Sequence, residues 1–396
     1  MALYAFDGTW QEGKAGDDPK FTNSNVFRFH TAYHAHSGTN DKYVAGIGTR
    51  FDVIGKVLGG VFGLGELPRL LESYDHLCRN WAAGDTVIDI VGFSRGAATS
   101  LDFSNLIHKK GIRRPGTDEV VEPAPQIRFL GLWDVVAAFG LANLGNEALN
   151  LGHHLELPKA NLKYCFHAMA LDERRPSFIN TRLPGAREVW FRGVHSDVGG
   201  GNGNQPLNNV SLRWMMSKAK AAGLPIEAAD IPSPVTAALQ PDHANKLPVK
   251  IRLIGAVDRR HYSVVPMDDW TNPPDTCPKE TEADEATANE VGAGGVEVLS
   301  NDARRRVLVM WETARDIVAP TDFTLDPLRD PLMTLFEGRV PLVTDDGQKL
   351  HAAREAVARL ITTTIAGARE RGFHVLSEFF LNEALFKMPR VFPLTD

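Results

Sequence analysis

The stretch TVIDIVGFSRGAATS, residues 86–100, constrains this chain more than any other. An apolar run of strand character from Thr86 to Val91 ends in Gly92-Phe93-Ser94-Arg95-Gly96, and a helix with a small-residue first turn is expected from Ala97 to Ile107. A G-x-S-x-G turn between strand and helix holds its serine on strained dihedrals, and side chains in place of the flanking glycines would strike neighbouring backbone. Such a turn lifts Ser94 Oγ clear of a sheet edge and aims the first N–H groups of the following helix at negative charge developing beside it. Ser94 is therefore the candidate nucleophile, and the Arg95 N–H a candidate oxyanion donor. In a chain with 35 glycines the five-residue pattern carries little weight alone. Its strand, turn and helix context carries the argument against a mere glycine-rich turn with a surface serine.

A serine nucleophile requires a base to take its proton and an acid to orient that base, both at the same sheet edge. Asp134 stands where a strand from Gln126 to Trp133 runs out, and His195 ends a strand from Glu188 to Val194. Ser94, Asp134 and His195 occur in the chain order expected of α/β-hydrolases. Read singly, Asp134 could instead cap a helix beginning at Val135, and His195 could be a satisfied histidine in a turn. Among rival acids, Asp89 lies inside the elbow strand, Asp197 is too near His195 in sequence, and Asp172 remains the substitute. A first strand from Leu3 to Phe6 breaks at Asp7-Gly8-Thr9-Trp10, a turn that places backbone amides at the carboxyl edge of a parallel sheet. The second oxyanion N–H is then expected from Gly8 or Thr9. A phosphatase of the D-x-D-G-T type would need an aspartate where this chain has Ala5.

Around these motifs the periodicity predicts helices over Asn25 to His36, Glu66 to Ala82 and Asn209 to Ala222, a helix within Glu156 to Leu171, and short strands at Lys42 to Gly48 and Val249 to Val257. The glycine-rich run after His195 reads as an irregular loop, and Pro266 to Glu290 as an acidic, mobile surface excursion. His30, His34 and His36 share helical spacing, but no carboxylate or further histidine completes a metal pattern. Val53 to Gly65 sets Val57, Leu58, Val61, Phe62 and Leu64 among glycines. That run is either a mobile apolar rim or close backbone packing. Amphipathic helices are expected over Arg304 to Val318 and Gln348 to Ala368. The fold class that follows is α/β: a doubly wound, mostly parallel sheet of α/β-hydrolase type with insertions, spanning residues 1–224. A helical portion, residues 225–396, then serves as cap or partner surface.

Composition removes several alternatives. A net charge of −6 gives no footprint for nucleic acid. Three widely spaced cysteines, Cys78, Cys165 and Cys277, make neither a disulfide framework nor a zinc site. The start, MALYAFDGTW, has no signal-peptide pattern, and no apolar run reaches the length of a membrane span. The expectation is a cytoplasmic protein in the producing cell, with any export by a signal-less route. Serine-based ester hydrolysis needs no metal and no organic cofactor.

Phe6-Asp7-Gly8-Thr9-Trp10, Gly92-Phe93-Ser94-Arg95-Gly96-Ala97, Gly131-Leu132-Trp133-Asp134 and Gly193-Val194-His195-Ser196-Asp197-Val198-Gly199-Gly200-Gly201 together resemble the α/β-hydrolase family of type VI secretion phospholipase effectors. Phe62-Gly63-Leu64-Gly65 and Leu171-Asp172-Glu173-Arg174 extend the resemblance over roughly residues 1–224. It implies Ser94 as nucleophile, His195 as base, Asp134 as orienting acid and lipid esters as substrates, with an A-type phospholipase as the foremost expectation. It also implies transient contact with a membrane surface and an immunity or secretion-machinery protein as partner. The residues by themselves leave open a soluble esterase or thioesterase, and a binding platform in which the triad is vestigial. No long C-terminal membrane-anchoring region of the kind that large family members carry is expected here.

Overall fold

The structure, a computed structural model, describes residues 1–8, 23–38, 40–46, 63–136, 157–175, 178, 180–183, 185–235, 239–241, 252, 254, 258–267, 270–273, 275 and 277–291. Thr9, most of the 53–65 run and the two expected C-terminal helices lie outside the described residues, as does nearly all of the strand expected at 249–257. Two compact units are distinguished. One comprises Met1–Arg252, Arg259–Asn272 and Pro278–Ala293, and the other Leu253–Asp258, Pro273–Cys277 and Gly294–Asp396. The following account concerns the first.

In chain order its elements are β1 (Ala2–Phe6), α1 (Asn25–Ser37), β2 (Lys42–Val44), α2 (Gly63–Ala82), β3 (Ile88–Phe93), α3 (Arg95–Lys110), β4 (Ile112–Arg113), β5 (Val120–Glu122), β6 (Ile127–Trp133), β7 (Leu162–Ala170), β8 (Arg187–Phe191), α4 (His195–Gly199), α5 (Gln205–Ala221), β9 (Arg260–His261), β10 (Lys279–Glu280) and α6 (Glu282–Glu285). Eight strands form one sheet in the order β10-β9-β8-β7-β6-β3-β1-β2. Every pairing in it is parallel. The strands β4 and β5 make a separate antiparallel hairpin.

Period-two alternation explains why helices cover both faces. Tyr4, Phe6, Ile88, Ile90, Leu130 and Leu132 point into one core with Leu77 of α2 and Leu101 and Phe103 of α3. The intervening Leu3, Ala5, Val91, Phe93, Phe129 and Trp133 point into another, with Phe29 and Tyr33 of α1 and Trp214 and Met215 of α5. Strands buried on both faces are characteristic of parallel sheets, whose crossovers lay helices on each side.

Three expectations are corrected. The helix expected within Glu156 to Leu171 is instead β7, a central strand between β6 and β8. A nearly continuous apolar run suits a doubly buried strand as well as a buried helix, and pairing with β6 and β8 decides between them. The glycine-rich segment after His195 begins with the one-turn helix α4. Asp197 closes that turn by accepting the Val194 N–H at 2.9 Å, and the positive φ of Gly200, Gly201 and Gly203 ends it. The acidic excursion at Pro266 to Glu290 supplies β10 and α6, with Glu280 and Glu285 buried. Glu280 pairs with Lys218 and Arg187, and Glu285 with His261 and Arg213. These carboxylates are core charges with partners, which is how acidic residues enter an interior.

The order in which strands are added across the sheet reverses at β1. The next strand, β2, adds on one side of it and β3 on the other, so the carboxyl ends of β1 and β3 flank a topological switch point. Open parallel sheets bind ligands at such a point.

Candidate active site

Two non-glycine residues among those described have positive φ: Ser94 (φ 57°) and Asp134 (φ 41°). Both follow a buried strand at the same edge. Ser94 joins β3 to α3 with ψ −120°, a conformation costly for an L-residue and held by what surrounds it. Its N–H donates to Trp133 O at 3.0 Å, and its carbonyl accepts from Val136 N at 3.4 Å, which ties the elbow to the end of β6. The glycines are required sterically. A Cβ on Gly92 would lie 2.6 Å from Gly96 O, and one on Gly96 would lie 2.5 Å from Asp7 O. The β1 turn reaches the same place, since a Cβ on Gly8 would lie 3.4 Å from Ser94 Cβ.

Asp134 is fully buried and surrounded by donors. Its Oδ2 is 2.6 Å from His195 Nδ1. Oδ1 accepts from Ala170 N at 3.0 Å and Asn180 Nδ2 at 3.1 Å. Arg252 adds a two-pronged contact, Nη1 to Oδ1 at 2.5 Å and Nη2 to Oδ2 at 3.0 Å. Burial by itself would raise the carboxyl's pKa, but the Arg252 charge and the His195 hydrogen bond outweigh it and hold Asp134 well below the usual carboxylate range. Asp134 is thus held in its anionic form around neutral pH. An imidazole bound at Nδ1 by an anion keeps its proton there and offers Nε2 for proton transfer.

His195 opens α4 and is 4% exposed. Its ring packs on Phe93 at a centroid distance of 4.6 Å and edge-on against Phe178 at 4.8 Å. Its backbone N–H donates to Glu173 Oε2 at 3.1 Å. Burial opposes the charge of Glu173, but Arg175, which grips it with Nε at 2.9 Å and Nη2 at 2.8 Å, brings its pKa down to about 2.

A family model for the type VI secretion Tle1-like phospholipase effector catalytic domain matches residues 3–124 and 113–218, more than half of the chain. The chain belongs to that family. No curated protein matches it. Membership carries lipase or phospholipase chemistry, an ester hydrolysis. The matched segments contain Ser94, Asp134, His195 and the Gly8 turn, and they stop short of Arg252.

In this Tle1-like domain the other candidate residues have different work. Asp172 accepts from Arg192 Nη1 and from Gly193 N, each at 2.7 Å, and anchors the chain just before His195. Burial outweighs the Arg192 charge and lifts its pKa to about 6. Asp197 holds α4 and accepts from Asn202 and Asn204. Asp89 accepts from Tyr33 of α1 and from Arg128 of β6. Asp7 accepts from Ser24 Oγ, from Tyr43 OH at 2.6 Å and from Gly8 N at 2.7 Å, so the Gly8 N–H is already engaged. His30 and His34 both address Asp41, while His36 addresses Asp230, and no set of three or more ligating side chains suited to a metal occurs among the described residues.

Sequence reasoning overlooked Arg252, Asn180 and the role of Glu173. Glu173 stood next to Asp172 in a quoted motif, so its position was visible though its contact was not. Arg252 lies 118 positions from Asp134 with no motif around it, and nothing in the linear chain signals the pairing.

Proposed function

We propose that this chain is a serine hydrolase of the α/β-hydrolase type that deacylates phospholipids, an A-type phospholipase with Ser94 as nucleophile, His195 as base and Asp134 as orienting acid. The observation that carries this reading is the pair of strained residues at neighbouring strand ends, Ser94 and Asp134, with His195 Nδ1 2.6 Å from Asp134 Oδ2. Strain of this kind persists only where surrounding structure enforces it, and it gathers at functional sites. The parallel sheet with its switch point at β1 and β3 supports the fold assignment.

In the reaction, His195 Nε2 takes the Ser94 proton as Oγ attacks the ester carbonyl, and the tetrahedral oxyanion forms beside the start of α3. The Arg95 N–H and one N–H of the Gly8–Thr9 turn stabilise it. Collapse breaks the bond to the leaving alcohol, which takes the proton from His195. A water molecule then gives a proton to His195 and attacks the acyl-serine; the acyl–Oγ bond breaks, His195 returns the proton to Ser94 Oγ, and a fatty acid is released. The partners that go with this reading are a lipid at a membrane surface and a cognate immunity protein. No helix among the described residues is long and apolar enough to cross a membrane.

The test is labelling with a fluorophosphonate, followed by mass spectrometry of products from a lipid panel. Labelling of wild type but not of Ser94→Ala, with free fatty acid and lysophospholipid as products, is the expected result. An unreactive wild type would refute the serine mechanism. Activity confined to short soluble esters would remove the phospholipid assignment and leave an esterase.

A further inference from the structure

Arg252 is the charged group nearest the candidate triad that the hydrolytic scheme does not use. We propose that Arg252 is a positioning residue that sets the basicity of His195 through Asp134, and that the segment beyond the family-matched core thereby tunes the pH range in which the site works. The proposal rests on the serine-hydrolase reading for its catalytic meaning, and on geometry for its substance.

A guanidinium gripping both oxygens of a carboxylate is fixed in position and direction. Here the second N–H of each terminal nitrogen is fixed as well, since Nη1 also reaches Ala170 O at 2.7 Å and Nη2 reaches Phe178 O at 2.8 Å. Ala170 ends β7, and Phe178 is the residue whose ring packs edge-on against His195. Arg252 therefore clamps three parts of the site at once: the acid, the strand beside it and the aromatic wall of the base.

The electrostatic consequence follows from the charges facing His195. Asp134 touches the ring from the end of β6, and Glu173 touches the backbone N–H from the turn after β7. Arg175 neutralises Glu173, and Arg252 neutralises Asp134. On its own turn, Asp197 is directed to Val194 N, Asn202 and Asn204. An imidazolium formed on His195 thus meets carboxylates whose charge is already shared with two guanidinium groups. Without Arg252, Asp134 would have His195 as its sole ionic partner among these groups. Its full charge would then favour the imidazolium, and protonated His195 cannot act as a base. With Arg252 in place, the Asp134 charge is shared between two cationic partners and favours the imidazolium less.

The test is a pH titration of the His195 imidazole by NMR on full-length protein labelled at histidine, in wild type, Arg252→Gln and Arg252→Lys. Glutamine keeps hydrogen-bond donors and removes the charge, whereas lysine keeps the charge and removes the fork. The expected result is a His195 midpoint raised by about one pH unit in Arg252→Gln, as removal of one nearby charge at an intermediate dielectric implies. In Arg252→Lys the midpoint stays close to wild type. If the glutamine variant does not fold, Arg252→Met serves as the neutral variant. A midpoint that stays put in the neutral variant, or that moves equally in both variants, overturns the proposal and leaves Arg252 a purely structural ion pair. The pH dependence of fluorophosphonate labelling is measured alongside, and its acid limb should move with the midpoint. Absence of labelling in wild type would defeat the hydrolase reading by itself, because the imidazole midpoint is read without turnover.

Discussion

Replacing Asp134 with asparagine should damage rate and stability together, and the structure says by how much. The carboxylate accepts five contacts: His195 Nδ1 at 2.6 Å, Arg252 at 2.5 and 3.0 Å, Ala170 N at 3.0 Å and Asn180 Nδ2 at 3.1 Å. Asparagine keeps one acceptor oxygen and introduces an NH2 that accepts nothing. If the oxygen stays at the Oδ1 position, facing Ala170, Asn180 and Arg252, the NH2 faces His195 Nδ1. The ring must then turn into the tautomer that carries its proton on Nε2, where it cannot receive the Ser94 proton. That error should cost about 10^3- to 10^4-fold in kcat/KM, or about 4–5.5 kcal/mol of transition-state stabilisation. Arg252 is left buried without its counter-ion, which should lower folding stability by about 3–5 kcal/mol. A loss of that size takes a large share of an ordinary domain's stability, so the assay must confirm the fold first. Hydrolysis of a short nitrophenyl ester is measured at a temperature where circular dichroism and urea titration show the variant native. Asp172→Asn is the control. It also breaks a buried ion pair, with Arg192, but leaves the His195 tautomer alone and should stay within about tenfold of wild type in rate. A folded Asp134→Asn protein with nearly wild-type turnover, or a greater rate loss in Asp172→Asn, would refute the assignment of the acid.

Ser94→Ala and His195→Ala should each remove most turnover and the double variant should be scarcely worse, because such residues act as a unit; losses that multiply in the double variant would contradict the pairing. Gly96→Ala places a Cβ against two backbone carbonyls, those of Phe6 and Asp7, and should cost about 1–3 kcal/mol in urea unfolding while slowing phosphonate labelling; an unchanged midpoint would mean that the elbow and β1 are not in contact. Burial lifts the Asp7 pKa from its ordinary 3.8 to about 6, so its protonated native form is favoured. Its contribution to stability is therefore full below about pH 4 and lost as pH rises through about 6, up to about 3 kcal/mol in all. Relative to wild type, Asp7→Asn should gain stability over that window, and a difference that does not change with pH would show Asp7 ionising as it does in the unfolded chain.

Ser94, Asp134 and His195 were legible because each closes a strand whose apolar pattern is local, and because the elbow announces its geometry through glycines that tolerate no Cβ. The sheet was legible in part for the same reason. Strand β7 was misread because a doubly buried strand has no polar face to reveal period two, and only its neighbours β6 and β8 separate it from a buried helix. The acidic segment at 266–290 was misread because charge in sequence usually means solvent. Glu280 and Glu285 are instead buried by partners on α5, β8 and β9.

The sequence by itself determined the strained glycine turn at Ser94, the order of the candidate acid and base, and the doubly wound layout, since those depend on steric and periodic rules acting within a few residues. Tertiary structure alone decided that the substitute acid Asp172 goes to Arg192, and that Arg252 closes on Asp134 across 118 positions. The physical reason is that hydrogen bonds and ion pairs act over a few ångströms of space, and a buried charge takes whichever partner the fold brings within that range.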